Sequence, residues 1–277
     1  MLNRARKPAF PILEALALGL VQGPTELLPV SSSAHTTLLP WLAGWRYSEL
    51  DAELRKSFEV ALHAGAGLAL AIDRRGELLE DAAALDRRRA AVLACSIGPP
   101  AIAGYTLRRL IERRMGGPRS IAAGLVAGAA AMALADARPG RGARSVEEVG
   151  VLDGLALGLA QALALIPGVS RNGATLTAAR ARGFTRGAAQ ELSWHAALPV
   201  ILGAGALELG RFARPVAAEG AAAMAAGGAG AFASTLLSSR VLGRRTRGRA
   251  LFPFSLYRGA LALVVIRRLR CAHNRDG

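Results

Sequence analysis

A chain of 277 residues in which 52% of the side chains are hydrophobic and only 20% are charged is too apolar for an ordinary soluble domain. Its formal net charge of +15 comes from 35 basic residues, all arginine except Lys7 and Lys56. The arginines gather at the ends of apolar runs, where they would meet anionic head groups. No interleaved aromatic and basic platform of the kind single-stranded nucleic acid needs is present, so nucleic acid is excluded as a partner. The sequence predicts an all-α polytopic membrane protein forming a single integral membrane domain over 1–277.

The first apolar run, 10–28, follows the basic stretch Arg4-Ala-Arg6-Lys7 and passes into a polar motif with no cleavage site of a signal peptide, so it is read as a retained membrane segment. Further apolar runs lie at 34–45, 57–72, 90–107, 120–135, 151–166, 174–179, 190–210, 216–237 and 251–266. A full crossing takes roughly 20 residues, so 34–45 and the stretch after Ser170 are too short and read as re-entrant segments. Ala- and Gly-rich runs such as Ala221 to Ala231 suit close helix packing in a bilayer. Arginine clusters flank both the stretch from Arg74 to Arg89 and that from Arg108 to Arg119, and the charge rule does not separate these loops. The basic N-terminus favours a cytoplasmic start. Cys95 and Cys271 form no disulfide framework and no metal pattern, and both read as free thiols.

Two polar stretches interrupt this apolar chain. Gln22-Gly-Pro-Thr-Glu26 runs into Pro29-Val-Ser31-Ser32-Ser33-Ala-His35, and Pro167-Gly-Val-Ser170-Arg171-Asn172 runs on to Thr175. Such groups are tolerated at membrane depth only against partners or facing a water-filled cavity. An echo links them: Leu18-Gly-Leu-Val-Gln22 precedes the first motif and Leu157-Gly-Leu-Ala-Gln161 the second. Matching interrupted segments in two halves, roughly 10–110 and 150–268, predict a repeat with a binding site at its interface.

The residue types point to phosphate. Ser31, Ser32 and Ser33 stand where N-caps stand, so the amides that follow and the positive end of the helix dipole would face an anion. Gln22 and Glu26 share a helical face, with Pro24 between them predicted to kink the turn. Glu26 could hold a divalent metal or act as a base, and Gln22 offers a neutral oxygen or an amide donor. His35 lies within a helical turn of Ser31 and Ser32, which allows a hydroxyl–imidazole pair, or else it satisfies a buried carbonyl. Arg171 has no acid nearby in the sequence and so calls for an anionic partner, which a phosphate would supply. Thr175 could add a hydroxyl or bond its own helix backbone. Glu59 with His63, and Glu191 with His195, share helical faces and read as metal, proton-relay or structural pairs.

At these residues the chain resembles the integral membrane undecaprenyl-diphosphate phosphatases linked to bacitracin resistance. Gly19 to His35 and Pro167 to Thr175 look like that family's two signature motifs. Phe58-Glu59-Val60, Glu191 with Pro199, and Pro253-Phe254 with Tyr257-Arg258 stand in the same order. The resemblance implies removal of the terminal phosphate of undecaprenyl diphosphate, which recycles the lipid carrier for cell-wall synthesis. It also implies an inverted-repeat fold with two re-entrant helical hairpins, a homodimer, and a site on the outer side of the bacterial cytoplasmic membrane. By matching positions it makes Glu26, Ser32, His35 and Arg171 catalytic, with Ser31, Ser33, Ser170, Asn172 and Thr175 around the phosphate. It implies Mg²⁺ or Ca²⁺, for which Glu26 and Gln22 are the ligands to consider. Gln22 departs from the Glu of many members and removes one negative ligand. Asn172 replaces the usual serine after the arginine, which argues against a nucleophile there. Ser32 or His35 would attack the terminal phosphorus, or His35 would activate water. The competing class is a lipid-phosphate transporter, which needs the same anion seat but not the Ser32 and His35 chemistry. The spaced motifs of type 2 phosphatidic-acid phosphatases are absent.

Overall fold

The computed structural model describes residues 10–137, 143–212, 218–245 and 248–276. They form eleven α-helices: α1 Ile12–Leu27, α2 Ser32–Ala43, α3 Ala52–Asp73, α4 Arg75–Ala83, α5 Arg87–Met115, α6 Pro118–Asp136, α7 Val151–Leu163, α8 Arg171–Ala181, α9 Arg186–Phe212, α10 Ala218–Arg245 and α11 Phe252–Asp276. The helices follow the apolar runs. One difference is α4, which occupies a stretch read as a basic loop and opens at Arg75.

By length and composition Arg87–Ile111, Pro118–Asp136 and Gly220–Leu242 can each cross a membrane. Leu13, Leu134, Leu152 and Leu163 point outward and are at least 60% exposed. Leucines so exposed around several helices suit hydrocarbon rather than water. By contrast α2 has 12 residues and α8 has 11, too few to cross. Each packs back on the helix before it, α2 on α1 and α8 on α7, as a hairpin.

Small residues set the packing. In α1, Gly19 and Gly23 lie against the backbone of α10, and a Cβ on either would collide with main-chain atoms of Gly227 or of Ser234 and Thr235. The Ser234 hydroxyl donates to the Gly19 carbonyl at 2.9 Å and accepts from the Gly23 amide at 3.1 Å. Those two groups are partners one helical turn apart, so Ser234 bridges them just before Pro24. Helix α1 nevertheless runs through Pro24 to Leu27. In the second half Gly154 and Gly158 of α7 lie equally close to the Val92 and Cys95 carbonyls of α5.

Two buried carboxylates brace the second half. Asp136, at the end of α6, accepts from Arg180 at 3.1 Å, from Arg186 at 2.8 and 3.0 Å, and from the Leu251 amide at 2.9 Å. Asp153 of α7 is held by Arg144 at 2.7 and 3.1 Å and by Arg182 at 2.7 Å. Around them Met132, Leu157, Leu176, Phe184 and Leu192 form one core cluster. Asp136→Asn would leave the buried Arg180 without a charge partner, and breaking a buried pair costs about 3–5 kcal/mol. The expected result is a clearly lower thermal midpoint in detergent, read by fluorescence-detected size exclusion after heating.

Candidate active site

The site forms where the ends of α1 and α7 meet the starts of α2 and α8. Both short helices open in the same way. Ser31 caps α2 with φ 75° and ψ 94°, and its hydroxyl accepts from the Ala34 amide. Ser170 caps α8 with φ 68° and ψ 117°, and its hydroxyl accepts from the Gly173 amide at 3.2 Å. Among the described residues these two are the only non-glycine positions with positive φ. Such a backbone costs about 1–3 kcal/mol and persists only where its surroundings over-determine it. Each turn delivers a sharp reversal, so that the next side chains, Ser32 and Arg171, project from the first turn of a helix.

Glu26 joins the two motifs. Arg171 Nη2 donates to Glu26 Oε1 at 2.5 Å, and the Ser32 hydroxyl donates to Glu26 Oε2 at 2.8 Å. Gln22 Nε2 reaches the same Oε2 at 3.2 Å, as their shared helical face predicts. The expectation that Arg171 has no acid near it is therefore corrected: its partner lies 145 positions away in the chain, a separation no local pattern reveals. The Glu26 side chain is 7% exposed and that of Arg171 21%, so the pair is largely withdrawn from solvent. Among the described residues the guanidinium bonds only Glu26, through one nitrogen, which leaves its other donors for an anion.

The predicted hydroxyl–imidazole pair is corrected too. No hydrogen bond joins Ser32 to His35. His35 Nδ1 donates to the Ser31 carbonyl at 2.7 Å, the alternative of a satisfied buried carbonyl, while Nε2 meets the Tyr257 hydroxyl at 2.7 Å. Sequence reasoning missed Tyr257 as a site residue, although the motif order had placed it beside Arg258. Ser33 is exposed, with its hydroxyl 3.3 Å from that of Ser31. Asn172 donates to the Leu27 carbonyl at 2.6 Å and accepts from Ser193 at 3.0 Å, so it stitches α8 to the end of α1. Thr175 is fully buried, and its hydroxyl meets Ser193 at 2.6 Å and the Arg171 carbonyl at 3.0 Å. The structure thus gathers Gln22, Ser32 and Arg171 on Glu26, and commits Asn172 and Thr175 to holding the turn.

Of the other polar residues, His63 donates to the carbonyl of Glu59, whose carboxylate lies near Lys56, and His195 pairs with Asp81 at 3.3 Å. Gln161 spans the Ser96 and Ala196 carbonyls at 3.0 and 3.2 Å. Its place in the motif echo matches Gln22, but its work is to hold α7 against α5 and α9. Cys95 and Cys271 are free.

Fold and site together define an all-helical membrane protein with an acid, a serine and an arginine converging between two helix N-termini. The chain belongs to the bacitracin resistance protein BacA family, which matches residues 15–264. It is 40% identical over 261 residues to "Undecaprenyl-diphosphatase" of Geobacter sulfurreducens, covering 89% of this chain and 94% of that protein. It is 38% identical over 279 residues to the protein of that name from Thermomicrobium roseum, covering 92% and 97%. The protein of that name from Pelobacter propionicus is 36% identical over 273 residues, covering 92% and 97%.

Proposed function

We propose that this protein hydrolyses undecaprenyl diphosphate to undecaprenyl phosphate and inorganic phosphate. The observation that carries the reading is the convergence of Ser32 and Arg171 on one buried carboxylate, Glu26, at the mouths of two capped helices. The relatives named for this activity support it across most of the chain.

The chemistry follows from the contacts. The diphosphate docks on the free donors of Arg171 and the first-turn amides of α2 and α8, which bind an anion without reorganising. Glu26 orients the Ser32 hydroxyl and accepts its proton as Oγ attacks the terminal phosphorus. The bond from that phosphorus to the bridging oxygen breaks, and undecaprenyl phosphate leaves. Water then releases the phosphoryl group from Ser32 as inorganic phosphate. His35, engaged on both ring nitrogens, shapes the α2 turn beside Ser32.

The donor set fits a divalent cation carried in with the substrate. Among the described residues Gln22 Oε1 is a buried oxygen with no hydrogen-bond partner, on the amide whose Nε2 donates to Glu26, so a turn of that amide would set a hard neutral ligand beside the carboxylate. Mg²⁺ sites commonly use one or two protein oxygens and complete their shell with phosphates and water. Glu26 and Gln22 would hold such an ion, and it would neutralise charge on the diphosphate. The same reading takes the halves 10–110 and 150–268 as inverted repeats, in keeping with the matched glycine contacts of α1 on α10 and α7 on α5. It places the protein as a homodimer in the bacterial cytoplasmic membrane with its site toward the outer face.

The test is phosphate release from undecaprenyl diphosphate by detergent-purified protein, with and without EDTA, beside Glu26→Gln. Release that needs divalent metal and falls at least about a hundredfold in the variant is expected. A folded protein that binds the lipid and releases nothing would overturn the reading.

A further inference from the structure

Tyr257 and Arg258 are consecutive residues of α11, and each reaches one of the two strained turns. Tyr257 meets His35 Nε2 at 2.7 Å, and its ring lies parallel to the imidazole with an interplanar angle of 1°. The other ring nitrogen faces the Ser31 carbonyl, which can only accept, so Nδ1 carries the proton. In the neutral ring Nε2 is then the acceptor and Tyr257 donates to it. The chain Tyr257, His35, Ser31 carbonyl thus fixes one tautomer and pins the first turn.

Arg258 does the same for the second turn. Its side chain is fully buried, and Nη2 donates to the Gly168 carbonyl at 2.9 Å and to the Val169 carbonyl at 2.8 Å. These carbonyls immediately precede Ser170, and Gly168 itself has φ 94°. Glycines clear the space, for a Cβ on Gly128 would collide with Nη2 and one on Gly173 would come within 2.8 Å of Nη1. No carboxylate pairs with Arg258 among the described residues, and its Nε and Nη1 have no partner. A cation buried in this way is costly, and carbonyls at the Ser170 turn are what it holds.

We infer that Tyr257 and Arg258 are the positioning pair of the site: one helix, through adjacent residues, holds both N-cap turns and so sets Ser32 against Arg171. The inference rests on the phosphatase reading for its kinetic arm only. Tyr257→Phe keeps the ring and removes one hydroxyl, so the fold survives it. The expected result is a fall in kcat of about tenfold or more with KM within about twofold, since an orienting contact acts on the chemical step. Arg258→Lys supplies a single point donor for two carbonyls and should lose at least as much.

The second arm is ¹⁵N NMR of histidine-labelled protein, tractable because the chain has only 4 histidines. His35→Gln identifies the signal. In the parent, Nδ1 protonated and Nε2 a hydrogen-bonded acceptor is expected, and Tyr257→Phe should shift Nε2 toward the free-acceptor value or mix the tautomers. Unchanged nitrogens in Tyr257→Phe overturn the inference whether or not the protein is a phosphatase. Shifted nitrogens with full kcat overturn the positioning role and leave the phosphatase reading intact. Shifted nitrogens with reduced kcat uphold it.

Discussion

Arg171→Ala should abolish measurable phosphate release, a loss of about a hundred- to a thousandfold or more in kcat/KM. Removing one preorganised donor from a transition-state oxyanion costs about that much, and here the donor carries a full charge. The change also strips Glu26 of its partner at 2.5 Å, leaving a carboxylate only 7% exposed. Breaking such a pair costs about 3–5 kcal/mol, so the thermal midpoint should fall as well. Arg171→Lys separates the two effects. It retains the charge that balances Glu26 and should recover most of the stability, but a point charge cannot grip two phosphate oxygens and hold Glu26 together. Near-normal activity with lysine would reduce Arg171 to a counter-ion. Phosphate release measured beside thermal size exclusion reads both.

Gly23→Val should prevent recovery of a monodisperse protein. The added Cβ would lie at 2.4 Å from the Ser234 carbonyl carbon and the Thr235 amide nitrogen, main-chain atoms of α10 that cannot rotate away. Overpacking costs about 1–3 kcal/mol where side chains can adjust, and more where backbone must move. Separation of α1 from α10 would also break the Ser234 contacts at 2.9 and 3.1 Å, exposing unpaired groups in hydrocarbon. Gly104→Ala is the control, because no neighbouring element lies within 4 Å of the position where its Cβ would sit in α5 and no proline follows it. It should be neutral or stabilising by roughly 0.5–1 kcal/mol, the helical preference of alanine over glycine. Equal recovery of the two variants would show that the α1 to α10 seam tolerates a gap.

Much of the site could be read locally. Gln22 with Glu26 followed from helical spacing, and capping by Ser31 followed from the break before α2. Each of these is a contact within a few residues, where backbone periodicity alone brings groups together. What lay outside that reach was the choice among partners. Ser32 has both Glu26 and His35 within a short distance along the chain, and nothing local ranks a carboxylate above an imidazole. The structure ranks them because Tyr257, 222 positions from His35, occupies the imidazole.

The sequence by itself determined an all-helical membrane protein with two interrupted segments, because apolar runs, prolines and serines act through the backbone on which they sit. Only the tertiary structure decided that Glu26 neutralises Arg171 and that α11 holds both turns. In a bilayer interior a charge must find its partner wherever the packed helices place one, and glycines at Gly19, Gly23 and Gly128 settle which helices come that close.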